Sequence, residues 1–295
     1  MPSIAAPGQV DEVNKKGQDA LQRKDYSAAL DLFVNAANQG SPVAQTKLGM
    51  IYEKGLGVRQ DFAQATAWYL KGAKQGDANA EAALGRLMIQ TEDEKFYRDG
   101  MAWLRKAADQ GNAEAENWIG LVYFRGQGVP QDYAQAATWL RKAADQGNVD
   151  AQAILGSMYL NGLGVQKDYA QALGLLRKAA EQGNDDAQYG LGLVYGGGMG
   201  VNPDLSQAEL WFRKAAAQGH DKAKTYLAAI DQEKQSASAV PPALQFKCFL
   251  EAFDPKVAGA GNNKSMIEAI KRSSDDPRYD ACIQTFQKKY GLQGR

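Results

Sequence analysis

Histidine occurs once in this chain of 295 residues, and cysteine twice. With His220 alone, no histidine-based metal cluster can form, and any Ser-His-Asp arrangement would have to use that residue. Cys248 and Cys282 lie 34 positions apart, so they make neither a CxxC motif nor a structural zinc set. Net charge is missing too. Lys and Arg number 34 against 34 Asp and Glu, with no basic block, which excludes nucleic acid and anionic membranes as electrostatically held partners. There is no run of 18 apolar residues to span a bilayer. The opening "MPSIAAPGQV" has neither the basic nor the apolar region of a signal peptide. It fits a cytoplasmic start, or a chain begun after a removed signal. The second is the expectation, and with it a periplasmic or otherwise exported location.

What the chain does have is repetition. The decapeptide "WLRKAADQGN" occurs at Trp103–Asn112 and again at Trp139–Asn148. The Gln-Gly pair ending it recurs from Gln39 to Gln218 at spacings of 36, 35, 36, 36 and 36. A second signature keeps the same beat: "AQTKLGMIYEKGLGV" at Ala44 returns in variant form at Ala115, Ala151 and Ala187. A fixed period of this length means a solenoid. Each period reads as two helices. The first follows A-x-x-x-L-G-x-x-Y, an i, i+4, i+8 apolar stripe. Its internal glycine (Gly49, Gly85, Gly120, Gly156, Gly192) is costly in an isolated helix and predicts close helix–helix approach. The helix ends at G-x-G, and Asp61, Asp132, Asp168 and Asp204 then stand where N-caps belong. Second helices bury faces such as Ala136, Trp139, Leu140 and Ala143, and Trp68, Trp103, Trp139 and Trp211 share one expected core position. Gly147 is a predicted C′ residue, Asn148 an N-cap, and Ser41-Pro42 places proline at N1.

These residues also carry a resemblance. A-x-x-x-L-G-x-x-Y-x-x-G-x-G-V, then D-[YF]-x-x-A, then W-[LF]-R-K-A-A-x-Q-G closely resembles the Sel1-like repeat, a relative of the tetratricopeptide repeat. Two departures stand out. Residues 11–40, with "LQRKDYSAAL", look more like a tetratricopeptide unit acting as the N-terminal cap. In the repeat at 77–111, "RLMIQTEDEKFYRDG" replaces the tyrosine and the glycine loop. The expected architecture is all-α: a right-handed α-solenoid of Sel1-like, tetratricopeptide-like helix pairs with a small helical C-terminal appendage. Its parts are a flexible tail at 1–10, the cap at 11–40, the solenoid at 41–232, a linker at 233–243 and a helical module at 244–295. Cys248 and Cys282 sit on the outer segments of that module among apolar residues. They are either separate buried thiols or a disulfide stapling a module too small for a good core. Closing that loop would contribute about 3–4 kcal/mol. The disulfide, and an oxidising compartment, is the expectation.

Catalysis finds little footing. The G-x-G loops follow no predicted strand and recur with the period, so they read as turns and not phosphate cradles. No S-x-x-K occurs, which weighs against the β-lactamase-like chemistry associated with some Sel1-like proteins. His220 falls at an inter-helix junction, as an N-cap or exposed turn residue. No enzyme, cofactor or metal is expected. A peptidoglycan-active enzyme or binding module remains a remote alternative.

Positions that agree between repeats serve the fold, and positions that differ are free for a partner. In first helices the varying stripe includes Met50, Arg86, Leu121, Phe124, Arg125, Leu160, Tyr189 and Leu193, and Trp118 is unlike its counterparts Lys47, Ala83, Ile154 and Gly190. The family resemblance implies that this stripe lines a concave groove, and a patch so apolar is the mark of a binding surface. It further implies a protein-binding adaptor. The role expected is that of an immunity protein against an exported effector, such as a type VI secretion phospholipase. The alternative is a periplasmic scaffold or regulator in signalling or secretion. The oligomeric state is open, with a monomer favoured.

Overall fold

The computed structural model describes residues 7–235 except residue 92. Cys248, Cys282 and the expected C-terminal module lie outside the described residues. The chain divides into two compact units, residues 1–148 and 149–295.

The first unit holds α1 (Pro7–Gln22), α2 (Tyr26–Asn38), α3 (Pro42–Lys54), α4 (Phe62–Lys74), α5 (Ala78–Gln90), α6 (Glu94–Asp109), α7 (Ala113–Arg125) and α8 (Tyr133–Asp145). In the second are α9 (Val149–Asn161), α10 (Tyr169–Glu181), α11 (Asp185–Gly197), α12 (Leu205–Ala217) and α13 (Asp221–Gln235). There is no strand among the described residues, and both units are stacked helix pairs of an all-α solenoid. Two boundaries differ from expectation. Pro7 starts a helix where a tail was expected, its fixed φ suiting the first helical position. α13 runs to Gln235, so residues 233–235 of the expected linker are helical.

Most residues of the decapeptide have a place in the packing. The leucine (Leu104, Leu140) is fully buried, and the two alanines after the lysine (Ala107 and Ala108, Ala143 and Ala144) are buried with it. The tryptophans are half-buried and not the full core residues expected. Trp68, Trp103, Trp139 and Trp211 each pack one side against a core built by the preceding helices. A lysine one turn on covers each ring: Lys71, Lys106, Lys142 and Lys214 stand 3.8–4.3 Å from the ring centroids. The glycine after each glutamine adopts a φ between +78° and +100°, which favours residues without Cβ. Asn112 caps α7 by accepting from Ala115 N, and its own amide donates to Asn79 Oδ1 one repeat earlier, at 3.0 Å. Asn184 repeats both bonds with Ala187 N and Asp150.

In five of the six pairs the glutamine reaches a buried polar residue in the first helix of its own repeat, whereas Gln39 donates to Asn35 of its own helix. Gln75, Gln182 and Gln218 donate to Gln45, Gln152 and Gln188. Gln75 and Gln218 also donate to the carbonyls of Gly40 and Gly183, so the bond ties consecutive repeats. In two repeats the acceptor is a carboxylate: Gln110 donates to Glu81 at 2.8 Å and Gln146 to Glu116 at 2.7 Å. Burial pushes both carboxyls above the usual carboxylate range, only partly opposed by these amides and by Lys106 and Lys142. The folded state therefore holds these protons more tightly than the unfolded chain. Stability from this source is present at low pH and lost as pH rises from the unfolded value, about 4.3, through the raised one. Glu81→Gln with Glu116→Gln should raise the melting temperature by about 1–3 °C at pH 7. Thermal melts across pH check this: the gain should vanish near pH 4, and an equal gain at both pH values would refute it.

Candidate partner-binding face

The first-helix glycines bring each pair close together. A Cβ on Gly49, Gly120, Gly156 or Gly192 would meet Tyr69, Leu140, Leu176 or Phe212 at 2.4–2.9 Å. The varying positions expected to line a groove stand on these tightly seated helices, and their surroundings divide them.

In the first unit, Met50 packs against the core around Tyr69 and Leu84, and Trp118 against the core around Leu104 and Ile119. Arg86 is engaged by its own fold. Its Nη2 donates to both oxygens of Glu53 at 2.7 and 2.8 Å, and its Nε lies 3.3 Å from Glu114. Tyr69 donates its hydroxyl to the same Glu53 at 2.7 Å, and burial together with that carboxylate drives its phenol well above the ordinary range. The Glu53 and Arg86 side chains are only 14% and 15% exposed, so the charges are shielded from solvent and must satisfy one another. Glu53, Arg86 and Glu114 come from α3, α5 and α7, so one ionic string joins three consecutive first helices. Sequence periodicity missed this link because it depends on side-chain reach between repeats. Asn117, at another varying position, is buried, and its Oδ1 accepts no hydrogen bond from the protein.

Three varying residues of α7 retain solvent access. Leu121 and Phe124 are half-buried and Arg125 is exposed. The Phe124 ring meets Tyr133 edge-on at 5.3 Å, and its carbonyl accepts from Gln131 Nε2. Arg125 ends the helix, where its charge complements the macrodipole.

The second unit corrects the expectation at one position. Leu160 is buried in the core with Leu176 and Leu191, because the apolar side chain fills space between neighbouring helices. Tyr189 is half-buried in an aromatic cluster. It stacks on His220 at 4.6 Å, meets Tyr226 edge-on at 5.6 Å and lies 5.8 Å from Phe212. Leu193 packs against the same core. His220 is an N-cap, as its place suggested: Nδ1 accepts from Ala223 N, which leaves Nε2 to meet Asp186 Oδ1 at 3.2 Å. That contact holds the Asp186 carboxyl below its usual range.

The sequence model of the Sel1 repeat matches residues 13–41, 42–77, 79–112, 113–148, 149–184 and 185–220. The chain belongs to the Sel1 repeat family. The segment set apart as a tetratricopeptide-like cap falls largely within the first match. This Sel1 repeat protein is similar to one from Oxalobacter formigenes, with 32% identity and a TM-score of 0.64 over 81% of this chain and 95% of that one. It is also similar to c5321, a protective antigen of uropathogenic Escherichia coli strains displaying an SLR fold. There the identity is 31% and the TM-score 0.62, covering 97% of this chain and 65% of the E. coli protein. The immunity protein Pa5087 from Pseudomonas aeruginosa is 22% identical, with a TM-score of 0.49 over 72% of this chain and 82% of that one. A Sel1 repeat solenoid is a scaffold for protein–protein interaction. No described helix is long and apolar enough to cross a membrane.

Proposed function

We propose that this Sel1 repeat protein acts without catalysis, binding a partner protein through first-helix faces and neutralising an exported toxic effector as an immunity protein. One observation carries the binding reading. Leu121, Phe124 and Arg125 keep solvent access on α7 at positions the repeat does not fix, since other repeats place Met50 or Ser157, Glu53 or Gly196, and Lys54 or Asn161 there. Tyr189 and Leu193 on α11 are half-buried and mostly engaged by the core around Phe212, so they contribute at most their outer edges. Arg86 and Leu160 are left out of that face, because both are engaged within the fold. The effector role, for instance against a type VI secretion phospholipase, rests on the family resemblance. Export and a Cys248–Cys282 disulfide belong to the same proposal. Alkylation of native material under non-reducing conditions tests them, and two alkylated thiols would count against both.

The binding test is titration calorimetry against the partner co-purified from the native host. Truncating a large anchor at the centre of an interface typically costs about 2 kcal/mol, or about thirtyfold in affinity. Phe124→Ala should show that loss with little change in melting temperature, while Lys178→Ala on α10 should bind like wild type. Wild-type binding by Phe124→Ala would place the interface elsewhere. If the partner expressed alone arrests growth and this chain relieves the arrest, the role is immunity; a harmless partner would favour a periplasmic adaptor.

A further inference from the structure

The glycine loops do more than turn the chain. Both glycines of each G-x-G adopt a φ between +63° and +74°. In three of these loops the second glycine presses its bare Cα against an aromatic residue in the first turn of the second helix of the preceding repeat. A Cβ on Gly57 would lie 2.6 Å from Tyr26 Cβ, one on Gly200 2.6 Å from Tyr169 Cβ, and one on Gly128 2.5 Å from the Tyr97 ring. The valine that follows completes the cover: Val58, Val129 and Val201 each pack against a core. Tyr26, Tyr97 and Tyr169 are accordingly half-buried.

The repeat at 77–111 has no such loop. α5 joins α6 through Thr91 to Asp93, and α6 begins early, lengthened to 16 residues against 13 in α4 and α8. The aromatic residue left without its cover is Phe62, which opens α4 and is 54% exposed. Beside it an apolar pocket of about 530 Å³ opens, lined by Phe62, Thr66, Leu87, Met88, Thr91 and Phe96. Phe96 belongs to the extra turn of α6 and is itself 42% exposed. The pocket thus continues an interface that the chain builds in its other repeats, with the loop half missing.

We propose that this seat receives a glycine-containing tight turn followed by a β-branched residue, carried on an exposed loop of a partner protein. The three covered tyrosines define the fit. The occupant must bring a backbone without Cβ against the Cβ of Phe62, which only glycine does, and then a compact apolar side chain for the cleft between α5 and α6. Two exposed phenylalanines framing a cleft are the kind of anchor site that concentrates binding energy. This surface is separate from the α7 face and is tested by different substitutions.

The probe is a synthetic peptide of residues 123–133 of this chain, "YFRGQGVPQDY", titrated into the full chain with methyl-labelled methionine. Among 7 methionines, Met88 lines the pocket. Its resonance should shift saturably, with a Kd between roughly 10 µM and 1 mM. Phe62→Ser, on an exposed side chain, should leave the melt unchanged and weaken binding by about tenfold or more. Phe96→Ser is the second variant, should Phe62→Ser disturb folding. A peptide with alanine at both glycines should not bind. No saturable shift at millimolar peptide would overturn the proposal. So would a shift that survives the pocket substitutions or the alanine peptide. Saturation by a medium-chain fatty acid without any response to the peptide would also overturn it, and would mark a small-molecule pocket.

Discussion

Replacing Gly85 by alanine is expected to destabilise the protein by about 2–3 kcal/mol, against the direction of helix propensity. Alanine in a helix interior is favoured over glycine by about 1 kcal/mol. At Gly85, however, a Cβ would stand 2.7 Å from the Gly100 carbonyl oxygen and 3.0 Å from Leu104 N. Both are backbone atoms of α6 and cannot rotate away. Gly100 in turn would place a Cβ 3.0 Å from the Gly85 oxygen, so this pair meets backbone to backbone from both sides. In the other Sel1 repeats the position of Gly100 is alanine (Ala65, Ala136, Ala172, Ala208) and the first-helix glycine faces a side chain. Those contacts can yield a little; this one requires α5 and α6 to move apart. Gly174 is the control. It lies mid-helix in α10, is exposed and has open space around it. Gly174→Ala should stabilise by about 0.5–1 kcal/mol. Urea denaturation of both variants decides the matter. If Gly85→Ala stabilises as Gly174→Ala does, close approach is not the reason for that glycine.

Arg86→Met should cost a similar amount, about 2–4 kcal/mol, for an electrostatic reason. The guanidinium is the cation that both oxygens of Glu53 contact, and Glu53 also accepts the Tyr69 hydroxyl. Removing Arg86 strands a shielded carboxylate beside a phenol that cannot neutralise it. The double variant Glu53→Gln, Arg86→Met removes both charges and leaves Tyr69 an acceptor in the amide oxygen. It should recover most of the loss, to within about 1 kcal/mol of wild type. A double variant no more stable than Arg86→Met alone would mean the arginine acts through its packing rather than its charge.

Much of the repeat was legible because it is written several times over. Asp61, Asp132, Asp168 and Asp204 all cap helices, as their spacing after G-x-G implied. The first-helix glycines mark close approach, as their cost in an isolated helix implied. The proposed binding face was less legible. A varying position is free of the repeat consensus without being free of contacts. Leu160 varies and is core, Arg86 varies and is ion-paired, and Phe62 obeys the consensus yet lies open. In the last case the signal sat elsewhere, in the missing glycine loop of the next repeat.

The sequence by itself determined the local half of this protein. It set helix starts and stops, the period, and the identity of residues that each repeat must supply to its neighbours, because caps, apolar spacing and positive-φ glycines act within a few residues of themselves. Only the tertiary structure decided which side chains find partners one repeat away. The pairing of Gln110 with Glu81, the string from Glu53 through Arg86 to Glu114, and the uncovering of Phe62 depend on how far helices 30 or so residues apart in sequence approach each other. That distance is set by the packing of whole helix faces, which no single position encodes.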